Sequence, residues 1–325
     1  MRRIAFLAAA AACLFVPVAV QAQDLTPDAT RYLSDPNYLP YGGQIYGYTT
    51  YDHSWTSGDT VNYLGVQTSS FRENADAFGQ FLSYGITDDL ELNAAIHADA
   101  DVQRQVDLAN GTEPNLNSSG FSDPSFGVVW RALDQASAPV DLDLFGNFAP
   151  NWIDSRLPSP TDDGTIARGG SVGTVGAALG YGTHQLSVRG SVYAEFNGHS
   201  DSLDLGDNDL VRTDGYTDYV LSLTSQARLN QLFSVNAGIS HTFLPNENVL
   251  NLTTGTPHVT EPGNSTVLSA SLNYNLIPNT AVISATYSHS FLGNIDYVYA
   301  NPVSDSSTRD RSGDTVGVRV DYVLP

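Results

Sequence analysis

The chain has no lysine: all 14 of its basic residues are arginine, and they stand against 35 aspartates and glutamates. The formal net charge is −21 at pH 7. Nucleic-acid binding needs a basic face that contacts phosphates, so this balance argues against it. An acidic surface instead favours the attraction of cations, or of divalent ions that bridge it to an anionic membrane leaflet. For most of these acids, solubility is a sufficient explanation.

Cysteine is nearly absent as well. The single one, Cys13, lies in the apolar N-terminal segment, so the rest of the chain can form neither a disulfide nor a thiolate metal site. The sequence has no phosphate-binding loop, zinc-ligand spacing or dinucleotide-binding fingerprint. The acidic stretch 201–209 lacks the spacing of a calcium-binding loop, and we expect it to be a solvated outer loop. We therefore expect no cofactor and no metal.

Long apolar runs are missing outside the N-terminus. One run of 17 residues, 4–20, follows two arginines and leads into Val20-Gln21-Ala22, which has the small residues of a cleavage site. We expect residues 1–22 to be a removable signal peptide. An N-terminal membrane anchor is the alternative, but the run is short and contains Pro17. Because no second run of 18 apolar residues occurs, a helical inner-membrane protein is excluded.

The chain does contain a repeated alternation of apolar and polar residues. Phe233, Val235, Ala237 and Ile239, for example, alternate with serine, asparagine and glycine. A membrane-spanning strand requires this period of two over about ten residues, because one face meets lipid and the other meets the lumen. We count twelve strand candidates. The clearest cover 90–101, 140–148, 185–197, 232–243, 267–276 and 316–324, and the first two, near 43–55 and 69–85, are the weakest.

The connections between these strands are alternately short and long. Short periplasmic turns and long extracellular loops are typical of outer-membrane barrels, whereas a soluble sandwich or β-helix does not produce this order. The short turns, which are rich in turn-forming residues, lie at 87–89, 134–139, 182–184, 229–231 and 278–279. The long polar connections lie near 56–68, 104–119, 151–168, 199–213, 245–262 and 293–311.

These patterns predict an all-β fold, a closed antiparallel transmembrane β-barrel of twelve strands over residues 43–325. Strand edges cannot stay unpaired in lipid, so the sheet must close on itself. Residues 23–42 are polar and contain three prolines, and we expect them to form a periplasmic N-terminal lead-in. The predicted location is the outer membrane of a Gram-negative bacterium. A secreted soluble β-protein is a remote alternative.

Charged residues that would face the lumen are the first candidate site. A narrow lumen lined by both signs of charge would orient and select polar solutes. The same residues could instead form salt bridges that fill the barrel, and the sequence leaves both interpretations open. The predicted lumen-lining and selectivity residues are Glu91, Asp99, Asp101, Arg131, Asp141, Asp143, Arg189, Glu195, Arg228, Arg319 and Asp321.

Histidines beside serines are a second candidate site. Ser240-His241 and Ser288-His289 lie in near-identical segments at the extracellular ends of two strands, and Asp52-His53-Ser54 is related to them. A histidine with a serine suggests nucleophilic hydrolysis, as in lipid-modifying outer-membrane hydrolases. Adjacent strand residues point to opposite faces, however, so His289 and Ser290 cannot pair directly. We favour residues of the interfacial girdle and predict that the protein is not an enzyme.

Two segments resemble a known family. Residues 84–92, Tyr-Gly-Ile-Thr-Asp-Asp-Leu-Glu-Leu, are similar to a hairpin of the outer-membrane transporter family labelled for the meta-pathway of phenol degradation. Residues 120–131, Gly-Phe-Ser-Asp-Pro-Ser-Phe-Gly-Val-Val-Trp-Arg, are similar to a strand of that family, in which Asp123 and Arg131 match the pattern. The resemblance implies an outer-membrane barrel that assists the uptake of small, often aromatic, compounds. It implies structural pairing for Asp123 and Arg131, no catalytic residue and no particular substrate.

The expected function is passive passage or uptake of small solutes, aromatic ones among them, with selectivity set by the lumenal charges. A non-conducting structural or interaction barrel with a filled lumen is the alternative, and a lumen packed by its own residues would favour it. A lipid-modifying hydrolase is the second alternative. The expected partners are outer-membrane lipid and lipopolysaccharide, small-molecule solutes and the barrel assembly machinery, with no nucleic acid.

Overall fold

The structure, a computed structural model, describes residues 32–108, 111, 115–205 and 208–324. The predicted signal peptide and the first part of the predicted lead-in therefore lie outside the described residues. No helix within the described ranges has the length and apolar character needed to cross a membrane. Within these ranges, one 3-10 turn, Pro302–Ser304, accompanies the strands, turns and irregular segments.

Strands make up most of the described chain after Gln44. They are β1 (Ile45–Asn62), β2 (Gln67–Thr87), β3 (Leu90–Asp107), β4 (Asn115–Phe121), β5 (Ser125–Leu133), β6 (Asp141–Ala149), β7 (Ser155–Leu157), β8 (Val172–Gly182), β9 (Leu186–Asn197), β10 (Ser200–Asp204), β11 (Asp209–Thr213), β12 (Tyr216–Arg228), β13 (Phe233–Phe243), β14 (Glu247–Asn251), β15 (Thr256–Pro262), β16 (Ser265–Ile277), β17 (Ala281–Leu292), β18 (Ile295–Tyr299) and β19 (Ser306–Leu324).

Twelve of these strands form a closed antiparallel barrel in the order β1, β2, β3, β5, β6, β8, β9, β12, β13, β16, β17 and β19. The first strand pairs with the last, from Ile45 opposite Leu324 to Asn62 opposite Ser306. The predicted twelve-strand closed barrel is therefore confirmed. Closure leaves no unpaired strand edge within the lipid, as a membrane-spanning sheet requires.

The two faces of the barrel wall differ as the alternation predicts. On β12, Tyr219, Leu221 and Leu223 point outward and are about half exposed, whereas Asp218 and Gln226 point inward and are buried. The outward band of large apolar side chains continues around the barrel, and only lipid can cover it. The protein is thus a transmembrane β-barrel, and it is located in the outer membrane.

All five predicted short turns connect neighbouring barrel strands at one end of the barrel. The tightest of them, 278–279, contains Asn279 with a φ of 57°, a left-handed backbone that asparagine tolerates. This end faces the periplasm in bacterial outer-membrane barrels.

The six long connections lie at the opposite end of the barrel, as predicted, and they carry additional strands that the sequence does not predict. They contain the seven additional strands β4, β7, β10, β11, β14, β15 and β18 and the upper parts of β1, β2, β3 and β19. We call this extracellular extension the collar. Its strands bond side by side from β10 through β11, β14, β15 and β18 to β19.

Hydrogen bonds also join the remaining parts of the collar. Strand β4 pairs with β3, and the loop after β7 bonds to β4 through the amide of Gly164 and the carbonyl of Asn117, at 2.8 Å. Strand β7 in turn pairs in parallel with β10. The described parts of the collar therefore form a continuous hydrogen-bonded wall above the barrel.

Residues 32–41, which we call the lumenal segment, lie inside the barrel at its periplasmic end. Leu33, Asp35, Asn37 and Leu39 are each at most 5% exposed. The sequence predicts only a periplasmic lead-in for residues 23–42, and the described part of that stretch instead fills part of the lumen.

The lumenal segment enters the barrel past a glycine. A Cβ at Gly85 would collide with the backbone carbonyl of Tyr41 and lie 2.9 Å from the Pro40 oxygen. The same glycine exchanges backbone hydrogen bonds with Gly43 and Gln44 just before β1 begins. Only a residue without a side chain allows the chain to turn inward this close to the wall.

Candidate functional site

Three groups of contacts hold the lumenal segment against the inner wall. The first is a buried cluster of charged residues. Arg131 of β5 binds Asp143 of β6 through two hydrogen bonds of 2.8 and 3.2 Å, and the two side chains are 1% and 2% exposed. Arg189 of β9 reaches the same carboxylate at 2.5 Å. Arg131 also donates to the backbone oxygen of Asn37 at 2.7 Å. The cluster thus pairs two guanidinium groups with one carboxylate and holds the middle of the segment.

The second group of contacts is made by residues of β12. Arg228 pairs with Asp35 at 3.2 Å and covers the ring of Tyr32 at 3.3 Å from its centroid. Gln226 donates to both the backbone oxygen and the hydroxyl of Ser34, at 2.6 and 2.9 Å. Burial raises the pKa of the Asp35 carboxyl above its ordinary value, although the amide of Asn37 and the charge of Arg228 act in the opposite direction.

The third group of contacts consists of apolar and aromatic packing. Leu33 packs in a buried cluster with Tyr46, Val282 and Val323 of the wall, and Tyr38 packs against it. The ring of Tyr38 lies 4.9 Å from that of Tyr46. Burial of this apolar surface adds a contribution that salt does not screen.

Two more aromatic pairs and one ion pair line the inner wall. Tyr48 and Phe81 stack at 4.8 Å between centroids, and Phe145 and Tyr193 meet edge to face at 6.0 Å. Arg319 binds Asp321 at 2.6 Å, donates to the Tyr46 hydroxyl at 2.7 Å and lies over the ring of Tyr48. The inner wall thus carries aromatic rings as well as charges.

The lumenal segment leaves a cavity on one side. A cavity of about 350 Å³ lies between the segment and the opposite wall. Its wall is built largely of small hydroxyl and amide side chains from β12, β13, β16 and β17. These are Thr224, Asn236, Ser271, Asn273, Ser284 and Thr286, with Arg319 and Asp321 of β19 at one side.

The extracellular half of the lumen is acidic. Asp99 and Asp101 lie on the inward face of β3, where Asp101 accepts the backbone amide of Ser118 at 2.7 Å and one oxygen of Asp99 has no hydrogen-bond partner. Glu195 of β9 lies opposite Asp218 of β12. This half therefore presents a negative field to an entering solute.

All eleven predicted lumen residues project inward, but the structure divides them by role. Four of them fasten the lumenal segment or each other at the periplasmic end: Arg131, Asp143, Arg189 and Arg228. Glu91 and Asp141 are buried by the wall and bind Asn93 and the amide of Gln135. Arg319 and Asp321 border the cavity, and Asp99, Asp101 and Glu195 lie on the inner wall of the extracellular half.

The sequence does not predict which residues of the lumenal segment bind the charged wall residues, nor which uncharged wall residues hold the segment. Asn37 and Gln226 are each 1% exposed, yet neither stands out in a polar stretch. A usable signal is the pair of prolines that brackets Asn37-Tyr38-Leu39, because such spacing fixes a short segment in one conformation.

No serine hydroxyl among the described residues is hydrogen-bonded to His241 or His289. Nδ1 of His289 contacts Asp314 at 2.8 Å, and Nδ1 of His241 contacts the hydroxyl of Thr266 at 2.8 Å. Each ring also meets a phenylalanine edge to face, at 4.5 Å between centroids. No group of three or more potential ligands among the described residues is arranged to hold a metal ion. In the stretch 201–209, Asp201 pairs with Arg212.

Comparison with solved structures finds the same fold. An outer-membrane channel from Pseudomonas putida F1 matches with a TM-score of 0.56 at 15% identity, over 88% of this chain and 97% of that one. The transport unit of the autotransporter AIDA-I from Escherichia coli gives 0.54 at 7% identity, over 86% and 90%. These identities are low, so the likeness concerns the fold alone. No protein-family model and no curated protein matches the chain.

Proposed function

We propose that this barrel takes up small solutes through a lumen that its own N-terminal segment narrows. The observation that carries the proposal is the cavity of about 350 Å³ beside the lumenal segment. Ligand sites of small molecules begin at about this size. Because the cavity wall consists of short hydroxyl and amide side chains, a solute can exchange its water contacts for weak hydrogen bonds and leave again.

Ring-containing solutes suit this lumen. The stacked pair Tyr48 and Phe81 and the edge-to-face pair Phe145 and Tyr193 line the inner wall, and aromatic faces attract one another in such geometries. The segments 84–92 and 120–131 support the same assignment, because the family that they resemble is associated with uptake of aromatic compounds. Membership in that family is part of this proposal.

Passage requires the lumenal segment to shift. The segment is held by one apolar cluster, a few hydrogen bonds and the buried pair of Asp35 and Arg228, and it has no β-ladder with the wall. Such contacts can open locally while the barrel stays folded. A widened passage would then run along the wall of β12, β13, β16 and β17.

A reversible cross-link between the lumenal segment and the wall tests whether solute passage requires the segment to shift. An ideal Cβ at Gly180 of β8 lies 2.7 Å from Cγ of Asn37, so Asn37→Cys with Gly180→Cys should form a disulfide within its normal reach. The predicted mature chain has no cysteine that would compete. We expect the oxidised double variant to lose uptake of phenol-sized solutes into protein-loaded liposomes, and a reductant to restore it.

The Asn37→Cys single variant is the control, because it carries the same change in the segment without the cross-link. Equal uptake by the oxidised and reduced double variant would contradict a moving segment.

A non-conducting interaction barrel is the second candidate. The filled periplasmic end favours it, since Arg131, Asp143 and Asn37 leave no space on the β5 and β6 side. Absence of uptake in the wild-type protein and in the reduced double variant would support this candidate. A lipid hydrolase lacks support, because no serine hydroxyl in the described part of the chain is hydrogen-bonded to His53, His241 or His289.

A further inference from the structure

Two arginines lie opposite each other on the outer surface, just beyond the extracellular rim of the barrel. Arg72 of β2 and Arg104 of β3 are direct partners in the antiparallel ladder, and both are exposed. Arg72 shares its strand face with Leu82, and Arg104 shares its face with Leu92, because no bulge interrupts either interval. Leu82 and Leu92 face lipid, so the arginine pair points outward as well.

This pairing is unfavourable on its own. Like charges directly opposite each other destabilise an antiparallel pair. Neither guanidinium has an ion pair or hydrogen bond with a described residue, and the outward acid nearest by register, Asp59, lies opposite Arg309 of β19. Five other described arginines do have an acid partner, namely Arg131, Arg189, Arg212, Arg228 and Arg319, whereas Arg156, Arg168, Arg309 and Arg311 form no ion pair with a described residue.

The height of the pair matches that of lipid headgroups. On the same outward face, Trp55 of β1 lies opposite Asn74 of β2, and Tyr51 lies opposite Phe78 nearer the membrane centre. Tryptophan and tyrosine concentrate at the membrane–water interface. Arg72 follows two residues beyond Asn74, which places it about 7 Å further from the membrane.

We propose that Arg72 and Arg104 bind a phosphate group of an anionic glycolipid in the outer leaflet. Two adjacent guanidinium groups offer paired N–H donors that match phosphate oxygens, and the bound phosphate removes the repulsion between them. The occupant is a lipid and not a free anion, because the acyl chains of the same molecule cover the apolar face below the pair. The inference depends on the outer-membrane location and not on solute passage.

Binding of diphosphorylated lipid A to the purified protein tests the site. The double variant Arg72→Ser/Arg104→Ser should bind about thirtyfold more weakly, from two arginines at the usual contribution of a basic residue beside an anionic lipid surface. The matched control is Arg156→Ser on β7, because Arg156 is also exposed and its side chain has no ion pair with a described residue. Undiminished binding by the double variant, or an equal loss in the control, would overturn the proposal.

Stability in two kinds of vesicle separates a binding role from a structural one. In phosphatidylcholine alone, the double variant should resist unfolding at least as well as the wild-type protein, because its like-charge pair is gone. With lipid A added, the wild-type protein should become the more resistant of the two. A double variant that is weaker in both vesicles would overturn the site.

Two ligand comparisons identify what the site recognises. Lipid A without its phosphates should lose most of its affinity for the wild-type protein, and equal affinity would overturn phosphate recognition. Millimolar inorganic phosphate should not displace lipid A, and displacement would mean a site for free anions and overturn the lipid assignment.

Discussion

At the residue scale, two arginine–aspartate pairs of almost the same geometry differ in burial. Arg131 and Asp143 form two hydrogen bonds and are almost fully buried, whereas Arg212 and Asp201 form two of 2.7 Å and are about 40% exposed. Water competes with the second pair and not with the first. The buried carboxylate also serves a second arginine, Arg189.

Replacement of the buried acid, Asp143→Asn, should therefore be costly. It leaves the guanidinium groups of Arg131 and Arg189 without a compensating charge, and breaking a buried pair in this way costs about 3–5 kcal/mol. The free energy of unfolding, measured by urea titration in lipid vesicles, checks this value.

The same change in the exposed pair, Asp201→Asn, is the matched control. We expect little change, because surface pairs are screened by water and salt. If Asp143→Asn changed the free energy of unfolding as little as its control does, the buried cluster would not stabilise the protein as its burial indicates.

At the scale of the element, the lumenal segment depends on a close approach of two backbones. Gly85→Ala would place a methyl group against the carbonyls of Tyr41 and Pro40, neither of which can rotate away. We expect the segment to leave its position, at a cost of about 1–3 kcal/mol. Protease cleavage near the N-terminus of the folded protein should then increase, while the barrel stays intact.

Gly173→Ala on β8 is the control for this change, because nothing lies within 4 Å of a Cβ there. Unaltered cleavage in Gly85→Ala would contradict a segment that needs a glycine at its entry.

The elements differ in how far the sequence predicts them. The barrel strands are predicted because lipid on one side and a polar lumen on the other impose a period of two. The collar strands were missed, because strands such as β10 and β14 lie outside the lipid, and this period then disappears. The lumenal segment was missed for a related reason. Leu33, Asp35, Asn37 and Leu39 occupy every second position and are all buried, so burial there does not separate apolar from polar residues.

At the scale of the whole molecule, the inward charges divide into a neutralised periplasmic end and an acidic extracellular half. The sequence predicts that these charges face inward, but it contains no information on which arginine meets which acid. Asp99 and Asp101, on β3, belong to the acidic half, where Asp99 keeps an oxygen without a partner. An acidic entrance should favour cations.

Charge reversal of both residues, Asp99→Lys/Asp101→Lys, should therefore lower the preference for cations. The reversal potential across a salt gradient in planar bilayers measures it, and we expect a shift toward anions. The control reverses two exposed acids of the collar, Asp154→Lys/Asp214→Lys, which changes the net charge equally. An unchanged reversal potential in the first variant would remove these residues from the conducting path.

The closed collar also determines what the cell shows to its surroundings. Its neighbours in space are distant in sequence: Asn117 bonds to Gly164, β7 pairs with β10, and β15 pairs with β18. An antibody that recognises the living cell would therefore bind a conformational epitope formed by several hairpins. Peptides copied from single hairpins would make poor immunogens, because each lacks the strands that give it its shape.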